Sequence, residues 1–146
     1  PSTIKNYAID YNNDKSINLK NIKDSFASAA NYLNKLGWKN NMPCFYKVDL
    51  KKETPHKYLN TSAKNIKYKK EISYLKKYIK DNEFLNDHSN LKAAIVTPDY
   101  DIIPDAKKLQ PAYIVFENYE LILKWNRSLR FALAVCTLKN KFKNAI

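Results

Sequence analysis

Oxygen-bearing side chains at alternate positions are the feature that most constrains the fold of this chain, and they open the segment 10–36 (DYNNDKSINLKNIKDSFASAANYLNKL). They belong to Asp10, Asn12, Asp14 and Ser16, and another carboxylate follows at Asp24. Alternate oxygens in a tight loop can surround a hard cation such as Ca²⁺, because this ion takes about six to eight oxygen ligands and tolerates irregular geometry. The segment is therefore predicted to be a cation-binding loop that fixes where a helix begins.

The loop departs from a strict EF-hand at two positions. Counted from Asp10, the places that hold Gly and a bidentate Glu in an EF-hand hold Lys15 and Asn21 here. Asp24 follows shortly afterwards and can supply the missing carboxylate. The alternative interpretation is a turn rich in Asn and Asp, with Asp24 near a helix N-terminus, where a negative charge is favourable in any case.

Residues 22–36 have the spacing of an amphipathic helix. Gly37 predicts its end, because glycine readily adopts the left-handed conformation found after helix C-termini. Tyr32 lies on a neighbouring stripe of small polar residues, which can pack against another element or line a groove. The predicted apolar face consists of Ile22, Phe26, Ala29, Ala30, Leu33 and Leu36.

The middle of the chain is predicted to contain one helix, over residues 71–86, and a few short strands. The Lys-rich segment 51–70 has few apolar anchors and is predicted to be the least structured part, and the segment 98–111 is rich in turns. The strands are predicted at 44–50, 93–97 and 112–117.

Two helices that meet at a polar corner are predicted near the C-terminus. Asn118 is expected to cap the first helix, which ends at Trp125, and Ser128 is expected to cap the second. Between the helices an indole, the amide of Asn126 and a hydroxyl converge; the alternative is that Asn126 and Ser128 serve only as helix caps. The predicted buried side of the last helix consists of Phe131, Val135, Leu138 and Phe142.

The charge balance is strongly basic, with 26 Lys and Arg against 14 Asp and Glu and a net charge of +12. A field of this sign attracts polyanions such as nucleic acid, anionic lipid or a polymer that bears carboxylates. The alternative is a solvated lysine surface that reflects a composition rich in Lys, Asn, Ile and Tyr. Only Arg127 and Arg130 are arginines, which argues against nucleic-acid recognition, since that usually depends on arginine.

The length of 146 residues suits a single domain, and no apolar run is long enough to predict a transmembrane segment. Cys44 and Cys136 are too few and too far apart for a zinc site. They are either buried thiols or one disulfide, and the sequence leaves both open, as it does the oligomeric state.

Three stretches together resemble one family, the lytic murein transglycosylases of the membrane-bound B (soluble 35-kDa) type. They are 1–19 (PSTIKNYAIDYNNDKSINL), 25–38 (SFASAANYLNKLGW) and 115–135 (VFENYELILKWNRSLRFALAV), whereas residues 39–108 match weakly. The resemblance implies a partial lysozyme-like domain of the α+β class, mainly helical, with an EF-hand-like loop and a few short strands. It also implies cleavage of the β-1,4 bond between N-acetylmuramic acid and N-acetylglucosamine in peptidoglycan, with 1,6-anhydromuramoyl ends.

The resemblance assigns roles to individual residues. Tyr32, in the family's Ala-x-Asn-Tyr-Leu helix, is expected to face the glycan, together with Trp125, Asn126 and Ser128 in the family's Tyr-Asn-x-Ser corner. Trp125 replaces the family's Tyr at this corner, which keeps a stacking surface and loses a hydroxyl. A structural Ca²⁺ is expected on Asp10, Asn12, Asp14, Ser16 (through its carbonyl) and Asp24.

The family's catalytic Glu-Ser motif is missing, because none of the five glutamates is followed by Ser. The chain is therefore expected to be the C-terminal part of the catalytic domain, inactive alone, with the catalytic residue on an upstream part. The alternative is a non-catalytic peptidoglycan-binding module that has lost its acid. The expected location is the periplasm, with any membrane anchor on a missing N-terminal segment and no nucleic-acid partner.

The family pattern also divides residues 1–146, taken as one domain, into three parts. They are the cation loop and its helix (1–37), a variable segment (38–110), and the corner with the final helices (111–146).

Overall fold

The computed structural model describes residues 2–100 and 109–145, with the side chains of 5–100 and 109–141. Phe142 and most of the segment 98–111 from the sequence predictions therefore lie outside the described side chains. The fold is mixed α+β and mainly helical, as predicted. The chain forms two compact units, Pro1–Asn40 and Asn41–Ile146, and each is described by itself.

The first unit consists of helix α1 (Ser2–Tyr7), the loop, and helix α2 (Ile22–Lys35). The side chain of Asn21 caps α2 by accepting the Lys23 N–H at 2.8 Å. At the other end Gly37 has φ +98°, and the Trp38 N–H donates to the Leu33 carbonyl. These bonds form a Schellman motif, so the predicted helix and its glycine stop are confirmed.

The predicted apolar face of α2 is largely exposed in this structure. Ile22 is 71% exposed and Phe26 63%, while the buried side chains of the helix are the polar Asp24 and Ser28. The reason is that Asp24 and Ser28 bond to the backbone of the incoming chain, so the helix turns its polar side toward that chain. Apolar spacing located the helix correctly and assigned its buried side incorrectly.

The second unit is built on a sheet of five strands, β1 (Phe45–Val48), β2 (Leu59–Asn60), β3 (Lys70–Glu71), β4 (Lys92–Val96) and β5 (Ala112–Val115). The strand order is β1-β5-β4-β2, with β3 outside this row. β1, β5 and β4 pair antiparallel, β2 joins β4 in parallel, and β3 pairs antiparallel with the first residues of β4. The three predicted strands are present as β1, β4 and β5.

The predicted helix over 71–86 is interrupted. It consists of the short helix α3 (Ile72–Leu75) and two 3₁₀ turns, Lys76–Tyr78 and Glu83–His88. The interruption comes at Ile79, which is extended and forms an isolated antiparallel bridge with Leu50. Pairing with a neighbouring segment therefore overrides the helical spacing.

Helices α4 (Glu117–Trp125) and α5 (Leu129–Ala145) complete the second unit. α4 begins two residues earlier than a cap at Asn118 predicts, after Phe116, and Asn118 lies fully buried inside it. The Asn118 amide donates to the Met42 carbonyl at 3.1 Å, so it joins two segments instead of capping the helix.

The buried stripe of α5 consists of Leu129, Ala132 and Cys136, whereas Leu138, on the predicted buried side, is 49% exposed. The stripe was therefore predicted about one position out of register. The predicted cap at Ser128 is confirmed, because its hydroxyl accepts the Phe131 N–H at 3.2 Å.

The hydrophobic core lies in the second unit, between the sheet and the segment 72–91. Tyr58, on the segment 51–70 that was predicted to be least structured, belongs to this core. None of the helices in the described part of the chain has both the length and the apolar character needed to cross a membrane. The core is formed by Val48, Leu50, Tyr58, Ile72, Leu75, Ile79, Leu85, Ala93, Ile95, Ala112, Ile114 and Phe116.

A buried hydrogen bond fixes the angle between α4 and α5. The hydroxyl of Tyr119, on α4, donates to the carbonyl of Leu129, the first residue of α5, at 2.8 Å. Tyr119 is fully buried and Leu129 is 5% exposed. Burial raises the pKa of Tyr119 above its ordinary value, so the hydroxyl keeps its proton and remains a donor.

A disulfide between Cys44 and Cys136 joins the start of β1 to α5 and decides between the two alternatives that the sequence left open. The bond closes a loop with a sequence separation of 92 residues. Closing a loop of this length removes entropy from the unfolded chain worth about 4–5 kcal/mol.

We expect the double variant Cys44→Ala/Cys136→Ala to lower the free energy of unfolding by up to about 4–5 kcal/mol, since the unfolded chain regains its freedom. Chemical unfolding of the oxidised wild type and the variant measures the difference. Addition of a reductant to both proteins is the control, and it should destabilise only the wild type. Equal stability of the two oxidised proteins would contradict the prediction.

We expect Tyr119→Phe to destabilise the protein by about 1–3 kcal/mol at neutral pH, because the buried Leu129 carbonyl loses its donor. The exposed Tyr11→Phe is the matched control, and thermal unfolding measures both.

The same pair of proteins gives a pH test. Above the ordinary tyrosine pKa of 10.0 the unfolded state releases the Tyr119 proton, while the folded state keeps it because burial raises this pKa. The stability of the wild type should therefore fall with rising pH in this range, and its advantage over Tyr119→Phe should shrink. An advantage that does not change with pH would contradict the prediction.

Candidate functional site

The loop 10–18 is ordered by its own side chains. Asp10 accepts the Asp14 N–H at 3.3 Å and the Lys15 N–H at 2.8 Å, one on each carboxylate oxygen. Asp14 in turn accepts the Ser16 N–H at 2.8 Å and the Asn12 amide at 2.8 Å. The side-chain oxygens at alternate positions therefore point back onto the loop backbone.

Lys15 has the backbone conformation of the glycine that it replaces in the EF-hand pattern. Its φ is +69°, in the left-handed region, and Asn13 has a φ of +60°. A residue other than glycine pays about 1–2 kcal/mol for this conformation. The Lys15 N–H bond to Asp10 compensates for part of this cost, so the loop keeps its turn without a glycine.

Asp24 ties the two ends of the loop to helix α2. Its carboxylate is fully buried, and its two oxygens accept the Tyr11 and Asn18 N–H groups, each at 3.0 Å. Charge-assisted bonds of this kind are stronger than neutral ones. Asp24 therefore closes the loop by bonding its backbone, and each of its oxygens keeps a second lone pair.

The donor chemistry of the loop fits a hard cation, because carboxylate, amide and carbonyl oxygens are the ligands that Ca²⁺ prefers. The geometry is not that of a preformed acidic cage: within residues 5–100 and 109–141, no three His, Cys, Asp or Glu side chains are placed to share an ion. The groups whose chemistry would allow them to hold the ion are Asp10, Asn12, Asp14 and the Ser16 carbonyl.

The same side of α2 carries the predicted glycan contact Tyr32. The Ser28 hydroxyl accepts the Ile9 N–H at 2.9 Å, and the Asn31 amide donates to the Tyr7 carbonyl at 3.0 Å. The ring of Tyr32 packs edge-on against Tyr7, with the ring centroids 5.0 Å apart. Tyr32 is half-buried and is held by α1.

The predicted corner in the second unit is formed by Trp125, Asn126 and Ser128. Trp125 is 46% exposed, and its indole packs edge-on against Phe131 with the ring centroids 6.1 Å apart. Asn126 is exposed and extended, and the Ser128 N–H donates to its carbonyl at 2.8 Å. The structure therefore brings these three predicted residues together, while Tyr32 lies in the other unit.

Two hollows lie beside this corner and share Ala63, Lys64 and Arg127. The larger one, of about 440 Å³, is also lined by Thr61, Ser62 and Ser128. The smaller one, of about 310 Å³, is also lined by Glu120 and Lys124.

The sequence predictions missed the contribution of the segment 61–66 to this corner, because it was interpreted as the least structured region. Its Ser-Ala-Lys-Asn residues give no periodic signal. The chain is held there by the buried Asn60, whose amide bonds the Lys67 backbone in both directions, at 3.1 Å and 2.8 Å. A polar residue buried by tertiary contacts is not visible to hydrophobic patterning.

A cluster of tyrosines and lysines lies elsewhere on the second unit. The hydroxyls of Tyr58 and Tyr74 are 2.9 Å apart, and the Lys77 ammonium lies 3.8 Å from the centre of the Tyr74 ring. Hydrogen bonds from Tyr58, Lys77 and Tyr78 lower the pKa of Tyr74 to about 8. None of the predicted site residues belongs to this cluster.

All five glutamates of the chain lie in the described residues, and none of them is buried. Glu120 pairs with Lys69 at 2.9 Å, and the side chain of Glu71 accepts the Ser73 hydroxyl. A glycosidase acid is usually held in apolar surroundings that favour its protonated form. The described part of the chain therefore offers no glutamate in such surroundings.

The fold is similar to those of solved lytic transglycosylases. SltB3 from Pseudomonas aeruginosa, in complex with NAG-anhNAM-pentapeptide, matches with a TM-score of 0.78 and 26% identity, over 98% of this chain and 36% of that one. SltB1 from the same organism matches with a TM-score of 0.70 and 19% identity, over 99% and 45%. The Escherichia coli transglycosylase Slt35, in complex with calcium, matches with a TM-score of 0.68 and 23% identity, over 99% and 42%.

At 19% and 23% identity, SltB1 and Slt35 show the fold alone, and the expected partial lysozyme-like fold is confirmed. The chain spans about a third to a half of the length of these proteins. A comparison with curated proteins gives no match. Residues 1–140 match the model of the Transglycosylase SLT domain family. Because this match covers nearly all of the 146 residues, the chain belongs to the Transglycosylase SLT domain family.

Proposed function

We propose that this chain is the C-terminal part of a peptidoglycan lytic transglycosylase. It supplies one wall of the glycan site, and cleavage of the MurNAc-β-1,4-GlcNAc bond to 1,6-anhydromuramoyl ends requires an upstream part that carries the catalytic Glu. The observation that carries this proposal is the family match over residues 1–140. The exposed apolar side chains of Ile22 and Phe26 support it, because they offer a surface on which further chain can pack.

We propose peptidoglycan strands as the ligand, because SltB3 is known in complex with NAG-NAM-pentapeptide and with NAG-anhNAM-pentapeptide. Trp125 offers an exposed indole face to the apolar C–H side of a sugar ring, and Asn126 and Ser128 offer polar groups for its hydroxyls. Tyr32 is proposed as a further contact from the first unit.

The disulfide supports a location outside the reducing cytosol, since such bonds persist in oxidising compartments. We therefore propose that the protein acts in the periplasm. The net charge of +12 supports association with a wall polymer that bears carboxylates.

A non-catalytic peptidoglycan-binding module is the second candidate. The observation that favours it is that none of the five glutamates is buried. The coding sequence immediately upstream separates the two candidates: a continuous reading frame with a Glu-Ser motif supports the enzyme, and a true start codon supports the module.

We expect the protein restored at its N-terminus to release anhydro-muropeptides from purified sacculi, because the upstream part adds the missing acid. Mass spectrometry of the digest measures the products, and the Glu→Gln variant of the restored acid is the control. Products with reducing ends would indicate hydrolysis and would refute the transglycosylase assignment. No products from a restored protein that contains the Glu-Ser motif would refute the enzyme proposal.

We also propose that the loop binds Ca²⁺ through Asp10, Asn12, Asp14 and the Ser16 carbonyl, with Asp24 holding the loop closed and available as a fifth ligand. The structure of Slt35 in complex with calcium supports this proposal. Three carboxylates with Lys15 among them favour weaker binding than a full EF-hand gives.

We expect Ca²⁺ at about 100 times its dissociation constant to stabilise the wild type by about 2.7 kcal/mol relative to EDTA. Asp14→Asn should lose this increment and be nearly as stable as the wild type in EDTA, because the amide oxygen still accepts the Ser16 N–H and only the exposed bond from the Asn12 amide is lost. Asp24→Asn should be destabilised with and without Ca²⁺, since an amide cannot accept both the Tyr11 and the Asn18 N–H groups. Thermal unfolding measures all three, and a melting temperature of the wild type that EDTA leaves unchanged would refute the metal proposal.

A further inference from the structure

Lys64 and Arg127 stand between the two hollows and line both of them. Lys64 comes from the segment that follows β2, and Arg127 comes from the turn between α4 and α5. They therefore approach the same space from two parts of the chain, one of which is fixed by the Tyr119–Leu129 bond described above.

Within the described residues, neither of these two cations has an anionic partner, and Lys124 in the smaller hollow is likewise unpaired, whereas two other charged neighbours are paired. Arg130 pairs with Asp99 at 2.6 Å, and Glu120 pairs with Lys69 at 2.9 Å. Within the described residues, no ion pair or hydrogen bond joins the side chains of Lys64 or Arg127 to another group. The larger hollow has no carboxylate among its described lining residues, so it is positive and complementary to an anion.

The lining of the larger hollow adds a second kind of complementarity. The hydroxyls of Thr61 and Ser62 can donate to or accept from peptide amides, and the buried side of Leu129 offers an apolar wall. A volume of about 440 Å³ accommodates a few small residues. A short acidic peptide fits this lining best, because it combines a negative charge with hydrogen-bonding amides and short apolar side chains.

We propose that Lys64 and Arg127 form a carboxylate clamp that binds the stem peptide of a peptidoglycan strand. The proposal rests on the proposed function, since the Trp125–Ser128 corner beside the clamp is the proposed glycan contact. Arg127 binds the carboxylate with its planar guanidinium through two parallel N–H bonds, and Lys64 adds a point charge. The clamp selects strands that carry peptide over strands from which the peptide has been removed.

The test compares the binding of the full 146-residue chain to three preparations of soluble glycan strands. These are strands with native stem peptides, strands stripped of peptide by an amidase, and strands whose peptide carboxylates have been converted to amides with a carbodiimide. We expect the wild type to bind the native strands about tenfold more tightly than either of the others, because one or two charge-assisted hydrogen bonds at an exposed site contribute about this factor to the affinity.

The variant Lys64→Gln/Arg127→Gln removes the clamp, and Lys52→Gln/Lys80→Gln is the matched control, because it removes the same charge from exposed positions that line neither hollow. We expect the clamp variant to bind all three preparations equally and as weakly as the wild type binds stripped strands. The control variant should keep the preference for native strands. Circular dichroism and thermal unfolding verify that both variants fold.

Three results would overturn the clamp. If the clamp variant prefers native strands as strongly as the control variant does, the clamp is excluded. The proposed function would still stand in that case, provided that the wild type binds stripped strands. Equal binding of native and amidated strands by the wild type would show that carboxylates are not recognised. Failure of the wild type to bind any strand would overturn the proposed glycan contact and the clamp with it.

Discussion

The hydrogen bond from the Tyr119 hydroxyl to the Leu129 carbonyl is the interaction on which the corner of the second unit depends. It crosses the turn between α4 and α5 inside the core, where an unpaired carbonyl would cost about 1–3 kcal/mol. Since it is satisfied, Trp125, Asn126 and Arg127 are held at the surface of a turn whose two ends are fixed. The disulfide at Cys136 fixes α5 once more, against the start of β1. The side chains proposed to contact the glycan are therefore exposed on a turn whose position is fixed.

The first unit is also held by a buried side chain that bonds the backbone of another segment, and here the side chain is a carboxylate instead of a hydroxyl. Asp24 is fully buried and accepts two N–H groups from opposite ends of the loop, so a single carboxylate on α2 holds the two ends of the loop together. Ser28 and Asn31 extend this row of polar contacts along the helix. The helix consequently faces its own loop with its polar side, and the apolar side that carries Ile22 and Phe26 is left at the surface.

The parts of the fold that sequence reasoning predicted correctly are those governed by local rules. Gly37 ends α2 in a Schellman motif, Ser128 caps α5, and the strands around Ala93 and Ala112 follow apolar runs. The errors have one physical origin, which is that distant segments compete with local preference. Ile79 is drawn out of a helix by pairing with Leu50, and Asn118 is buried to bond Met42.

The candidate site follows the same division between local and distant contacts. Trp125, Asn126 and Ser128 are neighbours in sequence, so the corner could be predicted without a fold. Lys64 could not be assigned to it, because it reaches the corner through a segment without periodicity. The proposed role of Lys64 rests on its being unpaired within the described residues, and this property can be seen only in three dimensions. The net charge of the sequence indicates the sign of the partner's charge, but it does not indicate where on the protein the partner binds.

The loop departs from the EF-hand motif in its residue types but keeps the backbone conformation of the motif at the glycine position. A strict EF-hand motif rejects this chain at Lys15, yet Lys15 has φ +69°, the left-handed conformation that the motif's glycine supplies. Protein groups offset part of the cost of this conformation, because Asp10 accepts the Lys15 N–H and Asp24 closes the loop from the helix. The loop is therefore already bent before any cation arrives. A cation bound there would add its ligand bonds to an ordered backbone and would lose little of its binding energy to ordering the chain, which partly offsets the low carboxylate count.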